Sequence, residues 1–303
     1  MSQPSAPVRF RTRRGRKLGW LVCNSRPPRN SNPFAVTLAL LCVLLSLACS
    51  NNLISHATAA EPIHPVVEIE EDVYAFEPAN NGAGPMWCSG STCLVRIGDR
   101  VFASGIETLK DAKPLNNCRW TLYQREANGW KLMRADATDR TREPSPLAGF
   151  LDGRLLLSVN PTLVTNREAS SGPARPEILQ FVASDLEHTP EVIRPQWRGQ
   201  PAFTEHSYRS FAADGPGREF ILLQNIGYTH AEWTFCNQAG QWFSGQLHWP
   251  DGREYPKPQP IRVCYPNVLL QNRAVYFCGV SDITEPSGMA RFQKRTHRPA
   301  MGL

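Results

Sequence analysis

The 303-residue chain carries 33 Lys and Arg against 27 Asp and Glu, with 26 prolines, 21 glycines and nine cysteines. Eight of the cations (Arg9, Arg11, Arg13, Arg14, Arg16, Lys17, Arg26 and Arg29) fall in the first sixty residues, which hold no acid, so the remainder is nearly neutral. That balance gives no support for a nucleic-acid partner, and no P-loop, dinucleotide fingerprint, HExxH or GxSxG motif points to a nucleotide, cofactor or catalytic metal.

Residues 1–60 read as a signal peptide with a long basic n-region. The apolar run Phe34–Cys49 is shorter than the roughly 20 residues that span a bilayer, and Ala57 and Ala59 supply the small side chains of a cleavage site. Export to the periplasm or the exterior is expected. An uncleaved segment would be the only membrane attachment, the alternative being anchorage through this apolar stretch. Six cysteines lie beyond it, Cys88, Cys93, Cys118, Cys236, Cys264 and Cys278. In an oxidising compartment they could pair in any of 15 ways; buried unpaired thiols are the alternative. No CxxC pair is present, and no metal is expected.

Residues 61–288 read as one repeat domain. Short apolar runs around a tight polar turn recur as "CLVRIGDRVFASG" from Cys93, "PLAGFLDGRLLLSVN" from Pro146, "SYRSFAADGPGREFILLQN" from Ser207 and "YPNVLLQNRAVYFCG" from Tyr265. Their turns are spaced by roughly 55 to 60 residues, a repeat-architecture period. Between them lie "RWTLYQREANGW" from Arg119, a degenerate copy "EILQFVASDLE" from Glu177, and "EWTFCNQAGQW" from Glu232. Each unit is therefore two tight hairpins joined by a long loop. Antiparallel meanders at this period, with Trp and Phe between sheets, predict an all-β fold, a β-propeller of four-stranded blades. Trp120, Trp130, Trp233 and Trp242 are assigned to the inter-blade core. About three and a half to four blades fit. Either a small ring closes through "VVEIEEDVYAF" (Val66–Phe76), or the chain is a fragment of a larger propeller; the irregular basic tail, residues 289–303, favours truncation. The chain is expected to be a monomer.

In such a blade the tight hairpins share one face and the long connections the other. The second face collects Arg142 and Glu143 ("TREPSP"), Glu205, His206, Tyr208 and Arg209 ("TEHSYRS"), and Arg262, Tyr265 and Asn267 ("IRVCYPN"). The exits from the second strands add Glu107, Asn160, Asn225, Tyr228, His230, Asp282 and Glu285. Arginines from three units aimed at one point would clamp an anionic ligand. Glu205, His206 and Tyr208 place a carboxylate, an imidazole and a phenol within four residues, with His206 and Tyr208 on one side of an extended chain, as acid and base catalysis requires. The expected ligand is an acidic glycan, recognised and cleaved by a glycosidase or by a polysaccharide lyase. The competing expectation is a non-catalytic scaffold that binds a protein or glycan, or an inactive fragment, in which the arginines pair with Glu143 or Glu205.

The period, the aromatic after each glycine turn ("ANGW", "QAGQW") and the phrases "REPSPLAGF", "FTEHSYRSF" and "IRVCYPN" resemble secreted planctomycete-type proteins of the sialidase-like, BNR-repeat propeller class, over roughly residues 65 to 288. The resemblance implies a carbohydrate-binding propeller. The sialidase Asp-box is incomplete, since Asn237 stands where the aspartate belongs, so its residue roles do not carry over.

Overall fold

The structure, a computed structural model, describes residues 66–85, 92–138, 140–227, 230–249 and 267–279. The expected leader (1–60), the tail (289–303), Arg262, Tyr265, Asp282, Tyr228 and Glu285 lie outside these residues, as do Cys88 and Cys264. The chain divides into two compact units. Arg11–Glu70 forms one, of which 66–70 are described and carry no regular secondary structure; Met1–Phe10 with Glu71–Leu303 forms the other and holds every strand among the described residues.

That unit is all-β, with no helix among the described residues. The first sheet contains β1 (Leu94–Ile97), β2 (Arg100–Thr108), β3 (Cys118–Glu126) and β4 (Gly129–Ala135). The second contains β5 (Leu147–Gly149), β6 (Arg154–Val159), β7 (Glu177–Val182) and β8 (Glu191–Ile193). The third contains β9 (Arg209–Asp214), β10 (Glu219–Ile226), β11 (His230–Cys236) and β12 (Trp242–His248), and a two-stranded sheet follows, β13 (Asn267–Gln271) and β14 (Ala274–Cys278). Every pairing is antiparallel and, within each sheet, the strands lie in chain order.

Both faces of the middle sheets are buried, which is why β6 reads "RLLLSV" and β10 "EFILLQNI" instead of alternating with polar residues. Side chains still alternate by period two. Leu155, Leu157 and Val159 pack with Phe102, Trp120 and Leu122 of the first sheet, whereas Leu156 packs with Phe211, Phe220 and Leu222 of the third. On β10, Ile221 and Leu223 turn the other way, onto Leu270 of β13. Each full burial of such a side chain is worth roughly 1.5–3 kcal/mol, so each sheet depends on the next. The first strands β1, β5, β9 and β13 are neighbours in succession and thus innermost. Gly149 permits the first approach, since a Cβ there would lie 2.8 Å from Ile97 Cδ1. The arrangement is propeller-like; among the described residues no strand joins the last sheet to the first.

Trp120, Trp233 and Trp242 occupy the inter-sheet clusters as expected. Trp130 does not; it is half-buried, and its indole hydrogen-bonds Glu71. Nor is Val66–Phe76 a strand. Within this acidic segment Glu71 stays at the surface, on Arg125 at 2.7 and 2.8 Å. Residues 74–81 instead dock by side chains on the half of β2 that β1 does not reach. The ring of Tyr74 stacks on Tyr123 with centroids 5.2 Å apart, and its hydroxyl accepts the Ile106 N–H at 3.3 Å. Gly105 makes room, because a Cβ would sit 2.6 Å from the Tyr74 ring. Asn117 Nδ2 then donates to the Ala79 carbonyl at 2.8 Å. Cys93, Cys118, Cys236 and Cys278 are free thiols, Cys118 and Cys236 buried.

Candidate functional site

Two polar loops converge at the inner end of the second and third sheets. The first, residues 140–146, leads into β5. Thr141 exchanges both backbone hydrogen bonds with Cys118 at the start of β3, and Ser104 Oγ donates to the Ser145 carbonyl at 2.5 Å. Pro144 and Pro146 keep the intervening backbone extended and remove two N–H donors. The second loop, Thr204–Tyr208, leads into β9. A compact Thr/Ser turn shapes it: Ser207 Oγ accepts the Thr204 N–H at 3.0 Å, and the Ser207 N–H returns to the Thr204 carbonyl at 3.1 Å. Asn160, at the exit of β6, donates to that same carbonyl at 3.0 Å, and the Asn225 N–H at the end of β10 reaches the Tyr208 carbonyl at 2.8 Å. Both asparagines are buried. They seat the loop on the sheets beneath it.

This scaffold brings His206 and Tyr208 to one side, His206 Nε2 lying 2.8 Å from the Tyr208 hydroxyl with ring centroids 4.5 Å apart. Arg142 Nη1 contacts His206 Nδ1, and Arg142 Nε donates to the Asn81 carbonyl at 3.0 Å. A guanidinium offers only donors, so a hydrogen bond between the two uses Nδ1 as the acceptor and leaves Nε2 to face the Tyr208 hydroxyl. Arg209, only 1% exposed, uses Nη2 on the carbonyls of Glu143 (3.2 Å) and Pro144 (2.9 Å) and on Ser145 Oγ (3.3 Å).

Glu143 sits among these groups with no exposure. Its Oε1 is 3.8 Å from Arg142 Nε and 3.9 Å from His206 Nδ1, and neither carboxylate oxygen has a hydrogen bond. Burial pushes its pKa up to about 7; Arg142 and Arg209 pull it down less strongly, and Glu205 adds to the rise. Near neutral pH the carboxyl is thus poised between its two forms. Beside it the Cys118 thiol, held by Asn81 Nδ2 at 3.5 Å, is pushed up to about 11, chiefly by burial.

The other expected site residues fall elsewhere. Glu205 is buried and accepts the Gly172 N–H at 3.0 Å, fastening to the loop residues 162–176, a Ser-, Gly- and Pro-rich insertion between β6 and β7. Glu107 pairs at the surface with Arg119 at 2.8 Å. His230 belongs to a separate group at the start of β11, its Nε2 3.3 Å from Glu232 Oε1 and its ring 5.5 Å from that of His248. Asn267 is exposed at the first position of β13. Of the three arginines, the structure therefore brings Arg142 and Arg209 together. The sequence places Glu143 on the long-loop face and as an ion-pair partner of Arg142, but gives no sign of Asn81, Cys118, Ser145 or Arg140 at the site. Arg140 is buried and gives Nη1 to the Asn116 carbonyl at 3.2 Å and Nη2 to that of Val164 at 2.5 Å. Among the described residues no group of three or more His, Cys, Asp or Glu could hold a metal ion. No protein-family model and no curated protein matches the chain.

Proposed function

We propose that this chain binds an anionic glycan at the Arg142–His206–Tyr208 cluster and cleaves it by elimination. The observation that carries the reading is the His206–Tyr208 pair, with Arg142 against the imidazole and the Glu143 carboxyl buried behind it. Of these side chains His206 is the most exposed, at 28%, and marks the mouth. Arg142 is the cation nearest to it and would neutralise the carboxylate of a uronate. The Tyr208 oxygen, as its phenolate, takes the proton from the carbon bearing that carboxylate, while the His206 N–H stabilises the negative oxygen. The electron pair forms a carbon–carbon double bond, the C–O bond to the departing sugar breaks, and Tyr208 returns the proton to the leaving oxygen. Hydrolysis is less well supported, because it needs two carboxyl groups flanking the scissile bond, whereas Glu205 is engaged by the Gly172 N–H and Glu143 lies behind His206.

A binding scaffold is the second reading, favoured by the burial of Arg209 and its use on backbone carbonyls. Incubation with a panel of acidic polysaccharides separates the two. Unsaturated uronate ends are expected, falling by about 100-fold in Tyr208→Phe and His206→Ala while the glycan stays bound. Binding without release of unsaturated or reducing ends would establish the scaffold instead, and reducing ends alone would replace elimination by hydrolysis.

A further inference from the structure

A cleft of about 390 Å³ opens in the second sheet's long connections, between the insertion and the segment that follows β8. That volume is in the range of small-ligand sites, which are mostly apolar with a few charged groups. Trp197, half-buried, meets Phe203 with centroids 4.7 Å apart, and Pro176, Pro195 and Pro201 complete an apolar wall that has little conformational freedom to lose. Arg175 and Arg194 stand at its edge, with side chains 48% and 70% exposed. Both reach the same carboxylate oxygen, Glu177 Oε1, at 2.7 and 3.5 Å. Two guanidinium groups thus share one buried acid, leaving one positive charge beside an aromatic wall.

The cleft is joined to the candidate site by backbone. The Ala174 N–H donates to the Phe203 carbonyl at 3.0 Å, Pro173 bridges Thr204, and Gly172 reaches Glu205. Phe203 is three residues from His206, a reach of at most about 10 Å along the chain.

We infer that this cleft is a second subsite for an acidic oligosaccharide, holding a ring against Trp197 and its carboxylate or sulfate on Arg194 and Arg175. The inference rests on the glycan reading above for its substrate class and adds that the ligand is a chain longer than the cluster alone could hold.

The test measures calorimetric affinity in the Tyr208→Phe background, where turnover does not interfere, for galacturonate and sulfated hexasaccharides against the matching disaccharides. Trp197→Phe and the surface change Arg194→Gln are each expected to weaken hexasaccharide binding about tenfold and to leave disaccharide binding within twofold. Hexasaccharide affinity unchanged in both variants would overturn the subsite while leaving the proposed cleavage intact. Weakened hexasaccharide binding in a protein that releases no unsaturated ends would support the subsite and overturn the cleavage. Loss of affinity for a simple aryl carboxylate in both variants, with no hexasaccharide bound to the parent, would show an anion cleft that is not for glycans and overturn the inference.

Discussion

Arg209→Ala is expected to lower stability by about 3–5 kcal/mol, because it takes a charged donor away from two buried carbonyls and a buried hydroxyl. The guanidinium is 1% exposed and binds two consecutive carbonyls and Ser145 Oγ. The prolines at 144 and 146 leave this stretch few N–H groups of its own, so those carbonyls depend on a donor from β9. Each buried carbonyl left unpaired costs about 1–3 kcal/mol. Because β5 and β9 are inner strands of adjacent sheets, the loss falls on the joint between them. Arg209→Lys retains the charge but not the planar fork, and is expected to recover only part of the loss. Urea unfolding checks this: the midpoint should fall with little change in slope, and a midpoint within experimental error of the parent would contradict it.

Glu143→Gln is expected to remove a pH dependence of stability that the parent shows. The folded carboxyl titrates at about 7, above its ordinary value of 4.5. Below about pH 4.5 the group is protonated in both the folded and the unfolded chain, and its ionisation costs nothing. As pH rises toward 7 the unfolded chain releases the proton first, so the native state loses stability; above 7 the loss is complete. At about 1.4 kcal/mol per pH unit between the two values, the penalty is on the order of 3 kcal/mol. Arg142, Arg209, Glu205, His206 and Cys118 all face this carboxyl and are unchanged in the variant. Urea midpoints of parent and variant should therefore diverge between pH 4 and pH 8, the glutamine protein becoming the relatively more stable. Parallel curves would contradict the assignment. In the Arg209→Ala background the window should move upward, since one of the two cations that lower the Glu143 pKa is gone.

Much of the fold could be read from the sequence because the hairpins are local. Gly98–Asp99, Asp152–Gly153 and Ala127–Asn128–Gly129 mark turns within a few residues of the strands they join, and the buried runs of β6 and β10 declare sheets covered on both faces. The degenerate copy from Glu177 supplies only β7: its partner β8 (Glu191–Ile193) lies beyond the quoted stretch, after a longer connection than a tight turn. Val66–Phe76 misled because its apolar alternation carries no sign of what it would pair with; Tyr74 finds its place through Gly105 and Tyr123, far along the chain.

The candidate site was legible in part. The Ser/Thr turn before β9 sets His206 and Tyr208 together, and that is a local property. The sequence places Glu143 on the long-loop face, but its burial was not legible, because "TREPSP" reads as a local ion pair. Its surroundings come from distant parts of the chain, Cys118 and the loop at 204–208, and the contact between Arg142 and His206 spans 64 residues. The Trp197 cleft was hidden for a similar reason, since "RPQWRGQPAF" has no periodicity and acquires a wall only when Ala174 bonds Phe203.

Enclosure of the Glu143 carboxyl beside His206, by loops from adjacent sheets, is tested by a carbon-detected NMR titration of that carboxyl, assigned by its loss in Glu143→Gln. A midpoint near pH 7 is expected, with the His206 ring resonances responding to the same transition. A midpoint in the usual carboxylate range, with His206 indifferent to it, would show that the carboxyl is not enclosed there.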